Sequence, residues 1–146
     1  MNNNLINELN QLLSNFHLYY QNTRGAHWNI KGPRFFELHA KFEELYTGAL
    51  TSIDEIAERI LTIGGRPHHT LETYLETSSI ESVKDESNDE ALVKMIVANL
   101  TSLIGQENKV KEAASDANDN ETEDMMIALV NEQEKQVWMF NSWLGK

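Results

Sequence analysis

The chain is expected to be all-α: a four-helix bundle with one long crossover, carrying a short helix, between its second and third helices. Three observations carry this expectation. Apolar residues recur at the i, i+3, i+4 spacing of an amphipathic helix in four separate stretches. The two prolines fall in the glycine-containing groups Gly32-Pro33 and Gly64-Gly65-Arg66-Pro67, and each of these groups ends a periodic run. The break at Gly32-Pro33 is short enough to make the first two helices an antiparallel hairpin, whereas residues 66–87 lack long periodicity, and that combination is the one-crossover, ferritin-like four-helix bundle arrangement. Residues 1–146 are read as one domain, long enough to bury a sizeable core.

The first helix is carried by Leu5, Leu9, Leu12, Phe16, Tyr19, Thr23, Ala26 and Ile30. The second is carried by Phe35, Leu38, Phe42, Leu45, Ala49, Ile53, Ile56, Ile60 and Ile63. Within the crossover, LETYLET reads as a short helix. Ser87-Asn88-Asp89-Glu90 resembles a capping box and predicts the start of the third bundle helix, with Leu92, Ile96, Leu100, Leu103, Val110 and Ala114 on its apolar face. Ser115 to Asn120 is a polar turn, and Asn120 with Glu123 is expected to cap the fourth helix, whose apolar face holds Met126, Leu129, Val130, Val137, Phe140 and Leu144.

Composition narrows the function classes. There are no cysteines, so disulfides and thiolate ligands are excluded. No apolar run approaches the ~20 residues of a membrane span, and the start MNNNLINELNQ has no basic region followed by an apolar stretch. A cytoplasmic location without membrane contact is the expectation. Formal charge is −11, from 12 basic and 23 acidic residues. That charge opposes non-specific binding to DNA or anionic lipid and suits a protein that attracts cations.

Four residues stand out as candidate metal ligands: His27, His39, Asp54 and Glu58. Two imidazoles with two carboxylates suit iron, zinc or manganese, and the set alone does not separate these metals. Asp54 and Glu58 are four apart and share a helix face. Alternatively they form a solvated face with local ion pairs, although like charges at that spacing repel unless a cation sits between them. The hairpin places His27, a turn before the first helix ends, near His39, a turn into the second. His39 precedes Asp54 by fifteen residues of the same helix, roughly 22 Å at 1.5 Å per residue. No single centre is that wide. If the four form one site, the histidines and carboxylates come from different copies of the chain, which predicts a homo-oligomer.

The segment His27-Trp28, Gly32-Pro33 with Phe35 and Phe36, Leu38-His39, Asp54-Glu55-Ile56-Ala57-Glu58-Arg59 and Gly64-Gly65-Arg66-Pro67 resembles the miniferritins, the Dps family (DNA-binding protein from starved cells). Val137-Trp138-Met139 is also similar to that family. The resemblance implies a hollow dodecamer. It implies ferroxidase centres at subunit interfaces, where Fe(II) is oxidised preferentially by hydrogen peroxide and stored as ferric mineral, protecting against oxidative stress. His27, His39, Asp54 and Glu58 would be the ligands, and Trp28 would stand beside the centre in electron transfer or radical trapping. Asp119 and Asp124 match the family's pore positions, while the bland reading of that acidic cluster is favourable pairing with a helix N-terminus. No histidine has a glutamate three positions before it, which argues against the Glu-x-x-His centre that other di-iron bundles build inside one subunit.

Other residues read more plainly. His68-His69 are expected in an exposed loop, His17 is structural, and Met125, Met126 and Met139 are core or contact residues. Glu43-Glu44 face either a mineral cavity or water. The alternative function is a DNA-compacting protein with secondary iron binding. Against it, Met1-Asn2-Asn3-Asn4 carries no cationic side chain and the other end adds only Lys146, so direct DNA binding is expected to be weak.

Overall fold

The structure, a computed structural model, describes residues 2–146. It contains five helices: α1 (Asn3–Asn29), α2 (Phe35–Thr62), α3 (Leu71–Thr77), α4 (Asp89–Asp116) and α5 (Asn120–Trp143). The helices α1, α2, α4 and α5 form the bundle, and α3 lies in the crossover, as expected. α1 packs against α2, α4 and α3, and α4 against α5. Leu9, Leu12, Phe16, Phe42, Ile56, Ile60, Ile96, Leu100 and Leu103 fill the core with essentially no exposure. Removing apolar area of this kind from water, at about 25 cal/mol per Å2, is the principal force holding the four long helices together.

Helix ends are closed by specific devices. Gly64 (φ 92°) follows α2; its amide donates to the Leu61 carbonyl and the Gly65 amide to the Ile60 carbonyl. This is a Schellman ending, in which a residue of positive φ satisfies orphan carbonyls. Asn118 (φ 55°) closes α4 in the same way, with Asn118 donating to Ser115 and Asp119 to Ala114. The start signals differ from expectation by one residue. α4 is capped by Asn88, whose side chain accepts from the Ala91 amide, not by Ser87. α5 is capped by Asp119, which accepts from the Thr122 amide, not by Asn120. In each case the neighbouring Asn or Asp was an equally good acceptor, and helix phase decided between them.

The crossover is held by a row of amide side chains on α1. Asn10 donates to the Arg66 carbonyl and accepts from the His68 amide; Gln11 donates to the Thr77 carbonyl. Asn15 accepts from the Ser79 amide, while Asn22 donates to the Glu81 carbonyl and accepts from the Val83 amide. These side chains stand in for a backbone ladder along a segment that has none, so its polar groups find partners at the bundle surface. α2 and α5 are less closely packed, and a cleft of about 530 Å3 opens between them over Phe16 and Tyr19.

Candidate metal centre

The hairpin brings the two histidines together. Their rings stack at 3.7 Å between centroids, with 12° between planes. The Nδ1–H of His27 donates to the backbone carbonyl of His39 at 2.6 Å, and the Nδ1–H of His39 donates to the carbonyl of His27 at 2.7 Å. The reciprocity has a structural cause. The carbonyl of His27 lies in the last turn of α1, where helix carbonyls lack intrahelical partners, and His39 supplies one. It also has a chemical consequence. With Nδ1 committed as donor, the neutral ring keeps its lone pair on Nε2, the form in which a histidine is oriented for metal binding. Phe35 stacks on His39 at 4.7 Å and the edge of Tyr46 meets His27 at 5.3 Å, so neighbouring rings fix both imidazoles. His27 is buried and His39 half-buried. The Glu43 carboxylate stands 3.8 Å from His27 Nε2 and is itself largely exposed.

Asp54 and Glu58 are exposed on one face of α2. A hydrogen bond with Asp54, and then that neighbour's negative charge, push the Glu58 carboxyl above its ordinary range. This is the behaviour of two carboxylates sharing a place where one cation would be welcome. The histidine pair and the carboxylate pair do not meet within the chain. Among the described residues no group of three or more histidine, aspartate or glutamate side chains converges on one point.

Trp28 is exposed, and its ring is covered on one side by the Arg24 guanidinium at 4.8 Å. Asp119 is tied into the fold: Arg59 donates to its Oδ1 at 2.9 Å and to Thr122 Oγ1 at 2.8 Å, and the Thr122 hydroxyl donates to Asp119 Oδ2 at 2.6 Å. Burial pushes the Asp119 carboxyl up, but the Thr122 hydrogen bonds and the Arg59 charge more than offset this and hold it below its ordinary range. Asp124 is exposed on the second turn of α5. His17 stacks on Tyr74 at 3.8 Å, a packing role as expected. His69 is exposed, but His68 is half-buried, with Nδ1 3.3 Å from Ser14 Oγ, because the amide row on α1 pulls this part of the crossover inward. Phe35, Tyr46 and Arg59 were not singled out as site residues. Phe35 and Glu43 lie four residues either side of His39, a spacing that could have marked them as its neighbours.

Residues 6–146 match the family model described as a ferritin-like domain. The DNA protection during starvation protein 2 of Bacillus anthracis is 39% identical over the full length of both chains. The crystal structure of a Dps protein from Vibrio cholerae O1, described as a member of a broad superfamily of ferritin-like diiron-carboxylate proteins, superposes with a TM-score of 0.94 at 45% identity, covering 96% of this chain and 88% of that one. Dps from Listeria innocua, in a crystal soaked with zinc, superposes with a TM-score of 0.94 at 33% identity and 97% coverage of each chain.

Proposed function

The chain belongs to the Dps family of ferritin-like proteins, and on that premise we propose that it is a ferroxidase and iron-storage miniferritin. His27 and His39 of one copy and Asp54 and Glu58 of another bind Fe(II) as substrate across a subunit interface. Two Fe(II) ions give one electron each to hydrogen peroxide, which takes up two protons and leaves as two waters. The Fe(III) formed is held by the carboxylates and passes to a mineral store inside a dodecameric shell.

The observation that carries this reading is the reciprocal histidine lock. It orients two Nε2 lone pairs side by side with no carboxylate pair of the same chain in reach, while the carboxylate pair lies exposed farther along α2. Trp28, beside the histidine pair in sequence, is exposed and available to a subunit contact. The diiron-carboxylate description of the Vibrio cholerae relative favours iron; zinc or manganese at the same ligands remains chemically compatible. Asp124 would line a pore for entering Fe(II), with Asp119 behind it.

The test is stopped-flow oxidation of anaerobically loaded Fe(II) by hydrogen peroxide, with oxygen in parallel. Wild type should react fast with peroxide and slowly with oxygen. His39→Ala and the double variant Asp54→Asn/Glu58→Gln should each be slow. Assemblies re-formed from a mixture of the two should regain part of the rate, since some interfaces then pair intact histidines with intact carboxylates. Slow mixed assemblies would sink the shared-site arrangement, and fast single variants would sink the ligand assignment.

The relatives' names favour a second reading, DNA protection by direct binding. The net charge of −11 opposes it. Gel retardation at nanomolar protein, physiological salt and no divalent metal would establish it; no retardation is expected.

A further inference from the structure

Glu107 is wholly buried on α4, and neither of its side-chain oxygens has a hydrogen-bond partner. Its polar neighbour is Gln133 on α5, also buried, whose Oε1 has no partner either. The Gln133 side chain lies close enough to favour the charged carboxyl through its amide, yet both Glu107 oxygens and Gln133 Oε1 remain unpaired acceptors. Unpaired buried acceptors are costly, and a proton on Glu107 supplies the donor that Gln133 Oε1 lacks, because a carboxylic acid donates where a carboxylate cannot.

The other ionisable groups around Glu107 make a charge there harder to hold. α1 presents the buried Tyr19, and α5 presents Glu132 beside Gln133. Across the adjoining cleft α2 presents Glu44 and Glu55, and no lysine, arginine or histidine lines that cleft. We propose that Glu107 is a built-in proton site. At neutral pH it is a neutral acid donating to Gln133 Oε1, and its ionisation in mild alkali loosens the α4–α5 seam and admits water from the cleft. Burial, and secondarily the charge of Glu132, push this carboxyl up to about 8 despite the opposing influence of Gln133. The sign follows from linkage. A carboxyl whose folded-state pKa is raised contributes stability that is fully present below its ordinary range and is lost as pH rises toward 8.

The inference concerns the bundle itself and stands or falls apart from the ferroxidase reading. The test has two arms. Infrared spectroscopy of wild type in deuterated buffer should show the C=O stretch of a protonated carboxylic acid near neutrality, fading above pH 8 and absent in Glu107→Gln. Gln133→Leu, which removes the acceptor, should move the band toward the frequency of an unbonded acid. Urea midpoints at fixed protomer concentration should fall for wild type between pH 6 and pH 9, and this fall should be largely absent in Glu107→Gln. A band that persists in Glu107→Gln, or parallel urea profiles for the two proteins, would overturn the proposal. If Glu107→Gln does not fold, the infrared arm on wild type and Gln133→Leu still decides: no protonated-acid band at neutral pH in wild type refutes it.

Discussion

Replacing Asp119 with asparagine separates a scaffold role from a pore role. The asparagine oxygen can still accept from the Thr122 amide, so the α5 cap survives. The charge does not: Arg59, whose side chain is 23% exposed, keeps that oxygen only as a neutral acceptor beside Thr122 Oγ1, and the Thr122 hydroxyl loses the carboxylate oxygen it donates to. A hydrogen bond between charged groups contributes about 1.5–3 kcal/mol. Here both side chains keep some water, which favours the lower half of that range, about 2 kcal/mol. Asp119→Ala also removes the cap, adding about 1 kcal/mol. For a chain of this length each kcal/mol moves Tm by about 2–4 °C, so Asp119→Asn should melt about 4–8 °C early and Asp119→Ala about 6–12 °C early. The assay is calorimetry at matched protomer concentration, since assembly makes Tm depend on it. Because the Asp119 carboxyl is held below its ordinary range, its contribution is present above that range and is lost as pH falls through the depressed value. The gap between wild type and Asp119→Asn should therefore be full at neutral pH and close in acid. Coincident melting at pH 7, or a gap unchanged in acid, refutes this reasoning. Unchanged melting with slower iron uptake would instead assign Asp119 to the pore.

Two further predictions test local structure. Asn88→Ala should destabilise by about 1 kcal/mol while Ser87→Ala is close to neutral, measured by urea unfolding, because the cap of α4 belongs to Asn88. Gly65→Ala should cost about 1–3 kcal/mol by overpacking, since a Cβ there would stand 2.9 Å from two atoms of the buried Ile6; Ile6→Ala in the same chain should recover part of the loss, and strictly additive costs would contradict the clash.

The bundle was legible in the sequence because each long helix carries a full apolar stripe ended by residues that stop helices. The register of its starts was not, because Ser87 and Asn88, like Asp119 and Asn120, are adjacent residues of equal capping ability and only packing phase selects one. The proximity of His27 and His39 followed from the short hairpin. The reciprocal hydrogen bonds did not, since they depend on a stagger that places each ring against the other's carbonyl. The amide row on α1 was invisible for a different reason. Asn10, Gln11, Asn15 and Asn22 interrupt no apolar pattern, and their partners are backbone groups fifty or more residues away, which composition cannot encode. Arg59 entered the sequence reading as the end of the Asp54–Arg59 motif, and its partner lies sixty residues on, at Asp119.

The histidine lock joins fold and chemistry in the same atoms, and that overlap makes an alanine variant ambiguous. His39→Ala removes a candidate ligand nitrogen, but it also strips the partner from the His27 carbonyl at the end of α1. Lost oxidation in that variant could then reflect a frayed hairpin. His39→Asn resolves the two. An asparagine Nδ2 occupies nearly the place of a histidine Nδ1, so it can still donate to the His27 carbonyl, yet nothing replaces the outward Nε2. Stability should stay within about 1 kcal/mol of wild type, the net worth of one neutral hydrogen bond, by urea unfolding at fixed protomer concentration. Peroxide-driven Fe(II) oxidation should fall as far as in His39→Ala. If oxidation survives in His39→Asn while falling in His39→Ala, the imidazole is a clamp on the hairpin and not a ligand. If both fall with the asparagine variant folded as wild type, the outward nitrogen is what the reaction requires.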